Sequence, residues 1–372
     1  MIESVVTEIN GLPYKGWKDF RMTSQLQSVY SNVTFSAVED PLIANSQWLP
    51  QNNLTIRTND NQVLFVGRID EYNETIEALE DDQINHTTTV SGRSYSAVLT
   101  DSVISDLSLL YTGGGEISLK RFIERILSGF DSTVQRNFEI QGDPQSQVKH
   151  TQLSEYNTVE KELRNGLLTM SAATVTATET GGFKVIVNSE YEEAGVINNF
   201  KAITLNVNET GRFHTYEVTN QDSSGLITSN STSGASTLKT SIDDLVDQQD
   251  RITRVKSIGN GSNSQEYADW LNNTSFAKSR RINIKIVGWR NSEGVLYAPG
   301  QLVTLQGRLF EASKASSIPK WLIDKVTYIQ SHPGEGTICN LSLIHPDAYS
   351  TDPRQRQSLI NSNTQSGQLL NE

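Results

Sequence analysis

Hydrophobic and polar residues alternate along much of the chain with a period of two. The run 281–287 places three isoleucines on one face, namely Ile282, Ile284 and Ile286. This period is typical of a strand that is buried on one side. A polar segment at 291–294 and a Pro–Gly pair at 299–300 predict two turns before the next apolar strand, 301–305. The region therefore predicts a rigid β-framework and contains no residue pattern typical of catalysis.

The first 95 residues also predict β structure. Alternating apolar residues at 54–56 and 63–69 flank a turn at 58–61, which predicts a hairpin, and a threonine-rich strand follows at 84–92. The loop 41–51 carries Trp48 among polar residues. A large apolar ring in such a loop either packs on its own domain or contacts a partner. Trp48 is therefore a candidate partner-contact residue, and both interpretations stay open.

A helical period appears after residue 95. Ser118 is predicted to cap a helix whose apolar residues recur at helical spacing: Leu119, Phe122, Ile123, Ile126 and Leu127. Thr158 is predicted to cap a second helix, and the segment 174–187 predicts a hairpin. These elements together predict a small α+β module.

The remainder of the chain predicts β structure with one interruption. The segment 221–241 is almost entirely polar and predicts a linker, and 265–280 predicts a helix. The apolar face of this helix is expected to carry Tyr267, Trp270, Leu271 and Thr274. The polar segment after Pro346 is expected to be disordered on its own.

The expected fold class is mainly β with α+β parts, with two β-barrel-like domains, a small α+β domain and an insertion. The division has five parts: a first β-barrel-like domain (1–95), an α+β peripheral domain (96–195), a second β-barrel-like domain (196–222 and 281–346), an insertion (223–280) and a flexible C-terminal tail (347–372).

The composition and net charge of the chain argue against some classes of function. The net charge is −12, which argues against a nucleic-acid-binding surface because phosphate binding needs clustered lysine and arginine. The chain has no apolar run of about 18 residues, so no transmembrane helix is predicted, and its first residues do not resemble a secretory signal.

No catalytic, cofactor-binding or metal-binding residues are predicted, and the chain is not expected to be an enzyme. The five histidines have no metal-ligand spacing, and Cys339 is expected to be a small buried strand residue. The acidic run at 77–82 is interpreted as a solvated loop. The three glycines at 113–115 lack the Gly-Lys-Ser/Thr sequence that follows in a phosphate-binding loop.

Several short motifs occur in a characteristic order. They are residues 14–17 (YKGW) and 23–26 (TSQL), 66–70 (VGRID), 90–94 (VSGRS) with 99–102 (LTDS), 212–218 (RFHTYEV), and 288–290 (GWR) through 297–300 (YAPG). In this order, over roughly residues 5–346, the chain resembles the baseplate hub proteins of contractile-tailed bacteriophages, the Mu-like tail protein or late-control protein family.

This resemblance implies a homotrimeric structural protein of the myovirus virion. Three chains with two barrel-like domains each would adapt a six-fold tail tube to a three-fold central spike. The implied partners are the spike protein, the tail tube protein and the surrounding baseplate proteins, with the tape-measure protein as a further candidate. The tail 347–372 is expected to be a docking strand for the spike that becomes ordered on binding. DNA would pass through the lumen during genome ejection without specific binding, and no membrane contact is implied. The protein would be in the phage tail baseplate, and in the host cytoplasm during tail assembly.

Two alternatives stay open from the sequence. A carbohydrate-binding β protein, such as a tail adhesin or glycosidase, would use some of the five tryptophans to stack on sugars. A tail-tube subunit would also be β-barrel based, but it would rarely need a second barrel and an α+β module.

Overall fold

The structure is a computed structural model in which most of the chain is built from strands. It describes residues 4–14, 17–38, 49–78, 84–104, 116–130, 136–149, 157–169, 173–187, 189–219, 238–256, 264–311, 318, 320–331 and 336–351. The expectation of a mainly β protein with α+β parts is confirmed.

In chain order, the strands are β1 (Val5–Ile9), β2 (Leu12–Tyr14), β3 (Trp17–Gln25), β4 (Asn32–Val38), β5 (Asn53–Thr58), β6 (Val63–Ala78), β7 (Ile84–Ser94), β8 (Glu116–Ser118), β9 (Phe138–Gln141), β10 (Gln147–Lys149), β11 (Thr174–Ala177), β12 (Phe183–Ile186), β13 (Glu192–Ile197), β14 (Phe200–Val207), β15 (Thr215–Thr219), β16 (Leu238–Ile242), β17 (Ile252–Lys256), β18 (Arg280–Val287), β19 (Gln301–Leu305), β20 (Trp321–Ser331) and β21 (Gly336–Ile344). The helices are α1 (Val98–Asp101), α2 (Leu119–Leu127), α3 (Val159–Thr169), α4 (Ser264–Ser279) and α5 (Arg308–Glu311), with short 3₁₀ turns at Tyr95–Ala97 and Pro346–Tyr349.

Thirteen strands form one large sheet. The strand order is β14-β18-β21-β20-β3-β4-β7-β6-β5-β1-β2, and β19 and β13 branch from β20. The N-terminal and C-terminal β-regions meet where β3 pairs antiparallel with β20, from Gln25 opposite Lys325 to Asp19 opposite Ser331. The described strands do not close into a barrel, but both regions contribute to one apolar core.

The α+β module has its own core beside the large sheet. Strands β11, β12 and β9 form a small sheet, β8 pairs with β10, and helices α2 and α3 pack among them. Both predicted caps are confirmed, because the Ser118 hydroxyl accepts from the Arg121 amide and the Thr158 hydroxyl accepts from the Lys161 amide. All five predicted apolar residues of α2 are buried.

The helix α4 buries Thr274 of its predicted face together with residues outside that face. Tyr267, Trp270 and Leu271 are only partly buried, whereas Asn272 and Asn273 are buried. Polar residues can occupy this interface because each asparagine has a partner there. Asn272 donates to the Ser241 hydroxyl (3.1 Å), and Asn273 donates to the Ser350 carbonyl (2.8 Å).

The same contacts change the expected start of the C-terminal tail. Residues 347–350 belong to the predicted tail, but in the structure they pack on α4. Tyr349 is fully buried, and the Ala348 carbonyl accepts from the Thr274 hydroxyl. The segment is ordered because it completes the apolar and hydrogen-bonding contacts of α4. Residues 352–372 lie outside the described part of the chain.

None of the described helices is long and apolar enough to cross a membrane.

Candidate functional site

The segment 288–300 connects β18 to β19 and contributes to the junction of the two β-regions. Trp289 is fully buried between Phe20 and Tyr328, at ring-centroid distances of 5.8 and 5.4 Å, and its indole N–H donates to the Ile338 carbonyl (3.0 Å). The predicted turn at 291–294 is confirmed by the bond from the Gly294 amide to the Asn291 carbonyl (3.1 Å). Because Phe20 lies on β3, Trp289 joins residues that are far apart in sequence. The geometry is that of a rigid joint.

Arg290 provides a second connection, at the surface of this joint. Its guanidinium donates to both carboxylate oxygens of Asp60 (3.0 Å each) and to the amide oxygen of Gln62 (2.7 Å). The Thr58 hydroxyl, and after it Arg290, holds the pKa of Asp60 below its ordinary value. Asp60 and Gln62 belong to the turn between β5 and β6, so Arg290 attaches the N-terminal hairpin to the C-terminal β-region.

Arg93 has an equivalent role inside the N-terminal region. Its guanidinium donates to Asp70 on β6 (2.6 Å) and to Asp101 on α1 (3.0 and 2.7 Å). The hydrogen bonds to Asp101 and Asp70 raise the pKa of Arg93. The nearby Gly67 and Gly92 allow β6 and β7 to approach closely, since a Cβ on Gly67 would lie 2.2 Å from the Arg93 carbonyl oxygen.

Arg212 is the most deeply buried of these arginines. Its side chain is 2% exposed and donates three hydrogen bonds of 2.7–3.0 Å to the carboxylate of Asp243, which is 5% exposed. The guanidinium also lies over the ring of Phe276 on α4, 5.0 Å from its centroid. Arg212 therefore holds the three-stranded sheet β16-β15-β17 against α4.

Arg93, Arg212 and Arg290 all belong to motifs that carried the sequence resemblance. The motifs alone do not reveal these ion pairs because, apart from Glu209 beside Arg212, the carboxylate partners lie from 8 to 230 residues away. In the structure, the motifs fix neighbouring segments to one another. The described residues of motifs 66–70, 90–94 and 99–102 meet at one small cleft, and those of motifs 23–26 and 297–300 meet at another.

Cys339 and His345 are two potentially reactive side chains among the described residues. Cys339 is fully buried in β21, as expected. The buried His345 has its pKa lowered to about 4, by burial first and by Arg280 second, and its Nδ1 accepts from the Asp347 amide (3.2 Å). No group of metal-ligating side chains occurs among the described residues. His150, His332, the glycines at 113–115 and most of the acidic run at 77–82 lie outside them.

Trp48, the candidate partner-contact residue, also lies outside the described residues, so its role stays a prediction. The four described tryptophans are in or beside the cores. Trp289 and Trp321 are fully buried, and Trp17 and Trp270 are partly buried. No described tryptophan therefore presents a fully exposed ring.

Comparisons with known proteins identify the fold. No protein-family model matches the chain, and no curated protein matches it. Among solved structures, the 43 kDa tail protein of prophage MuSo2 from Shewanella oneidensis superposes with a TM-score of 0.72 at 18% identity, covering 93% of this chain and 99% of that one. The tail protein from Neisseria meningitidis MC58 superposes with a TM-score of 0.74 at 13% identity, covering 95% and 99%.

A third structure comes from a secretion system. The E. coli c3393 protein, a type VI secretion component with structural similarity to the T4 bacteriophage tail proteins gp27 and gp5, superposes with a TM-score of 0.51 at 13% identity and covers 91% of this chain and 76% of that one. The resemblance to phage tail proteins that the motifs indicated is thus confirmed at the level of the fold.

Proposed function

We propose that this protein is a structural component of a phage tail, and specifically the trimeric baseplate hub of a contractile tail. The observation that carries the proposal is the match in fold with two phage tail proteins over almost the full length of all three chains. The connections made by Trp289, Arg93, Arg212 and Arg290 support it, since they are suited to transmitting mechanical load.

A ring of three copies would also protect the ends of the large sheet. Strands β14 and β2 end the strand order, so each presents an unpaired edge in the described chain. Unpaired edges favour uncontrolled association, and a closed head-to-tail ring covers them with a single repeated interface. Val207 on β14 is 57% exposed and would be covered in such a ring.

The proposed position within the virion follows from the same ring. The two β-regions of each chain would present six similar units to the tail tube, and the opposite side would receive the three-fold spike. Surrounding baseplate proteins would contact the periphery, and DNA would pass through the central channel. The net charge of −12 favours passage without tight retention of DNA, because an acidic wall repels phosphate.

The described residues give less support to a carbohydrate-binding adhesin or glycosidase. Sugar stacking requires exposed aromatic rings, and the four described tryptophans are partly or fully buried. Trp48 is the one tryptophan outside the described residues.

Native mass spectrometry tests the oligomeric state. The expected result is an assembly of three 41.3 kDa chains, formed by the protein alone or together with the spike protein. A stable monomer under both conditions that binds or hydrolyses a glycan would favour the adhesin or glycosidase. A hexamer or an open polymer would instead favour a tail-tube subunit.

A pair of variants tests the part assigned to β14. Val207→Lys should weaken the trimer because it places a charge at the proposed interface. Val295→Lys is the control, since Val295 is similarly exposed (48%) but lies in the turn after β18. An intact trimer with Val207→Lys would refute the assignment of β14 to the interface.

A further inference from the structure

The polar face of the large sheet contains a cleft of about 410 Å³. It lies over β14, β18, β21, β20 and β3, on the side opposite the apolar core. Cross-strand register places its polar side chains together, because Asn283 is opposite Ser342 and Ser342 is opposite Lys325. The cleft is therefore built from outward-facing positions of strands that come from both β-regions.

Four cationic side chains line this cleft: Arg21, Arg281, Lys285 and Lys325. Asp324 accepts from Arg281 (2.9 Å), but no described carboxylate pairs with Arg21 or Lys325. This concentration of positive charge is unexpected in a chain with a net charge of −12. Arg21 and Lys325 lie on the adjacent strands β3 and β20, and like charges on one face of a sheet repel one another, so a bound anion would lower the free energy of the site.

A second observation also points to a ligand. The Ser342 side chain lines the cleft, the residue is only 8% exposed, and its hydroxyl is buried without a hydrogen-bond partner. A buried hydroxyl without a partner is energetically unfavourable and uncommon. An oxyanion in the cleft would accept a hydrogen bond from this hydroxyl and pair with Lys325 on the adjacent strand.

We propose that this cleft binds phosphate groups of a nucleic-acid backbone. Phosphate contacts are typically made by arginine and lysine together with serine, threonine and asparagine, which is the composition found here. From β18 to β3 the cleft spans three strand spacings, roughly 14 Å, which is wide enough to contact more than one phosphate.

An acidic peptide fits the cleft less well. Peptide-binding surfaces usually have an apolar or aromatic anchor at their centre. The apolar lining residues here are Ala202, Ile284 and Leu341, of which Ile284 and Leu341 face the core. Backbone phosphate binding needs no such anchor, because its free energy is largely electrostatic.

The cleft is argued from its own residues and does not require the trimeric hub. It predicts weak binding that does not depend on base sequence and decreases steeply with salt. Such contact is compatible with DNA passing through the protein without specific binding.

Fluorescence anisotropy of a labelled DNA duplex, titrated with the full-length protein at several salt concentrations, tests the proposal. The main variant is Arg21→Gln/Lys325→Gln. The matched control is Lys120→Gln/Lys239→Gln, which removes the same charge from exposed positions outside the cleft. Ser342→Ala tests the buried hydroxyl, and removing a hydroxyl without a partner should leave the unfolding midpoint unchanged or higher.

We expect the wild-type protein to bind the duplex at low salt. The cleft variant should lose about tenfold or more in affinity, and its log–log salt slope should decrease by about 2, because two phosphate contacts are lost. The control should bind within about twofold of wild type, and Ser342→Ala should bind severalfold more weakly. The variants should keep the wild-type oligomeric state, which separates this test from that of the hub.

Four results would overturn the proposal. The wild-type protein could show no salt-dependent binding, the control could lose as much affinity as the cleft variant, or Ser342→Ala could bind like wild type. Polyglutamate could also displace the labelled duplex better than unlabelled duplex does, which would identify an acidic peptide as the ligand class.

Discussion

Replacing Arg212 by methionine should strongly destabilise the sheet β16-β15-β17. The change leaves the carboxylate of Asp243, which is 5% exposed, without the guanidinium that donates three hydrogen bonds to it. Breaking a buried ion pair by removing one partner costs about 3–5 kcal/mol. The equilibrium constant for local opening of β15 should therefore increase by roughly two to three and a half orders of magnitude.

Amide hydrogen exchange of β15 measures this change directly. Arg254→Met is the matched control, because Arg254 pairs with Glu217 in the same sheet (2.6 Å) but is 65% exposed. Glu217 is only 11% exposed, but the Arg254 guanidinium is largely in water, so losing this pair should cost less than losing the Arg212 pair. The double variant Arg212→Met/Asp243→Leu should recover most of the lost protection, since it removes the unpaired charge as well.

The interpretation of Arg212 as a buried structural ion pair can be refuted by the same experiment. If Arg212→Met lowers protection by less than about tenfold, or by no more than Arg254→Met does, Asp243 is solvated and the ion pair does not stabilise this sheet.

Three further changes have definite expected results. Burial lowers the pKa of His345 to about 4 from an unfolded value of about 6.5, so the unfolded chain binds the extra proton. The free energy of unfolding should thus be highest above about pH 6.5 and fall by up to about 3 kcal/mol toward pH 4. Urea unfolding of His345→Asn should lack this pH-dependent loss. Equal pH dependence in both proteins would contradict the assignment to His345. Gly67→Ala should lower the free energy of unfolding in urea by about 1–3 kcal/mol, because its Cβ would lie 2.2 Å from a backbone oxygen. Gly211→Ala, which has open space around it, should be near neutral. Equal effects of the two changes would show that β6 and β7 do not approach so closely. Removing residues 352–372 should leave the thermal unfolding midpoint unchanged and weaken copurification with the spike protein. Removing the chain from residue 347 should also lower the midpoint, because the buried Tyr349 is lost. Unchanged copurification would reject the tail as a docking segment.

Local elements were largely predictable from the sequence. Period-two alternation identified the strands, as in the isoleucines of β18, and apolar residues at helical spacing after Ser118 identified α2. These predictions succeed because they depend on interactions between residues close in the chain.

Features that depend on distant residues were not predictable in this way. The pairing of β3 with β20 joins segments about three hundred residues apart, and nothing in either strand alone specifies the other as its partner. The buried face of α4 was only partly predicted, because Asn272 and Asn273 are buried through hydrogen bonds to groups from β16 and residue 350. The strand β14 was predicted, but Val207 is exposed because β14 lies at the sheet edge.

The basic cleft illustrates the same limit. Arg281 and Lys285 lie in a basic stretch at 278–285, but Arg21 and Lys325 are far from it in sequence, so the sequence alone does not bring the four cations together. The overall charge of −12 argued against a nucleic-acid-binding surface, and this argument describes the average surface only. Register and strand order determine where an exception can form.

Cryo-electron microscopy of the assembled tail tip tests the central claim most directly. The account predicts three copies around one channel, with the N-terminal and C-terminal β-regions alternating as six similar units beneath the tail tube and the spike bound on the opposite side. A ring with another copy number, or β-regions that cannot be superposed and do not both face the tube, would contradict it.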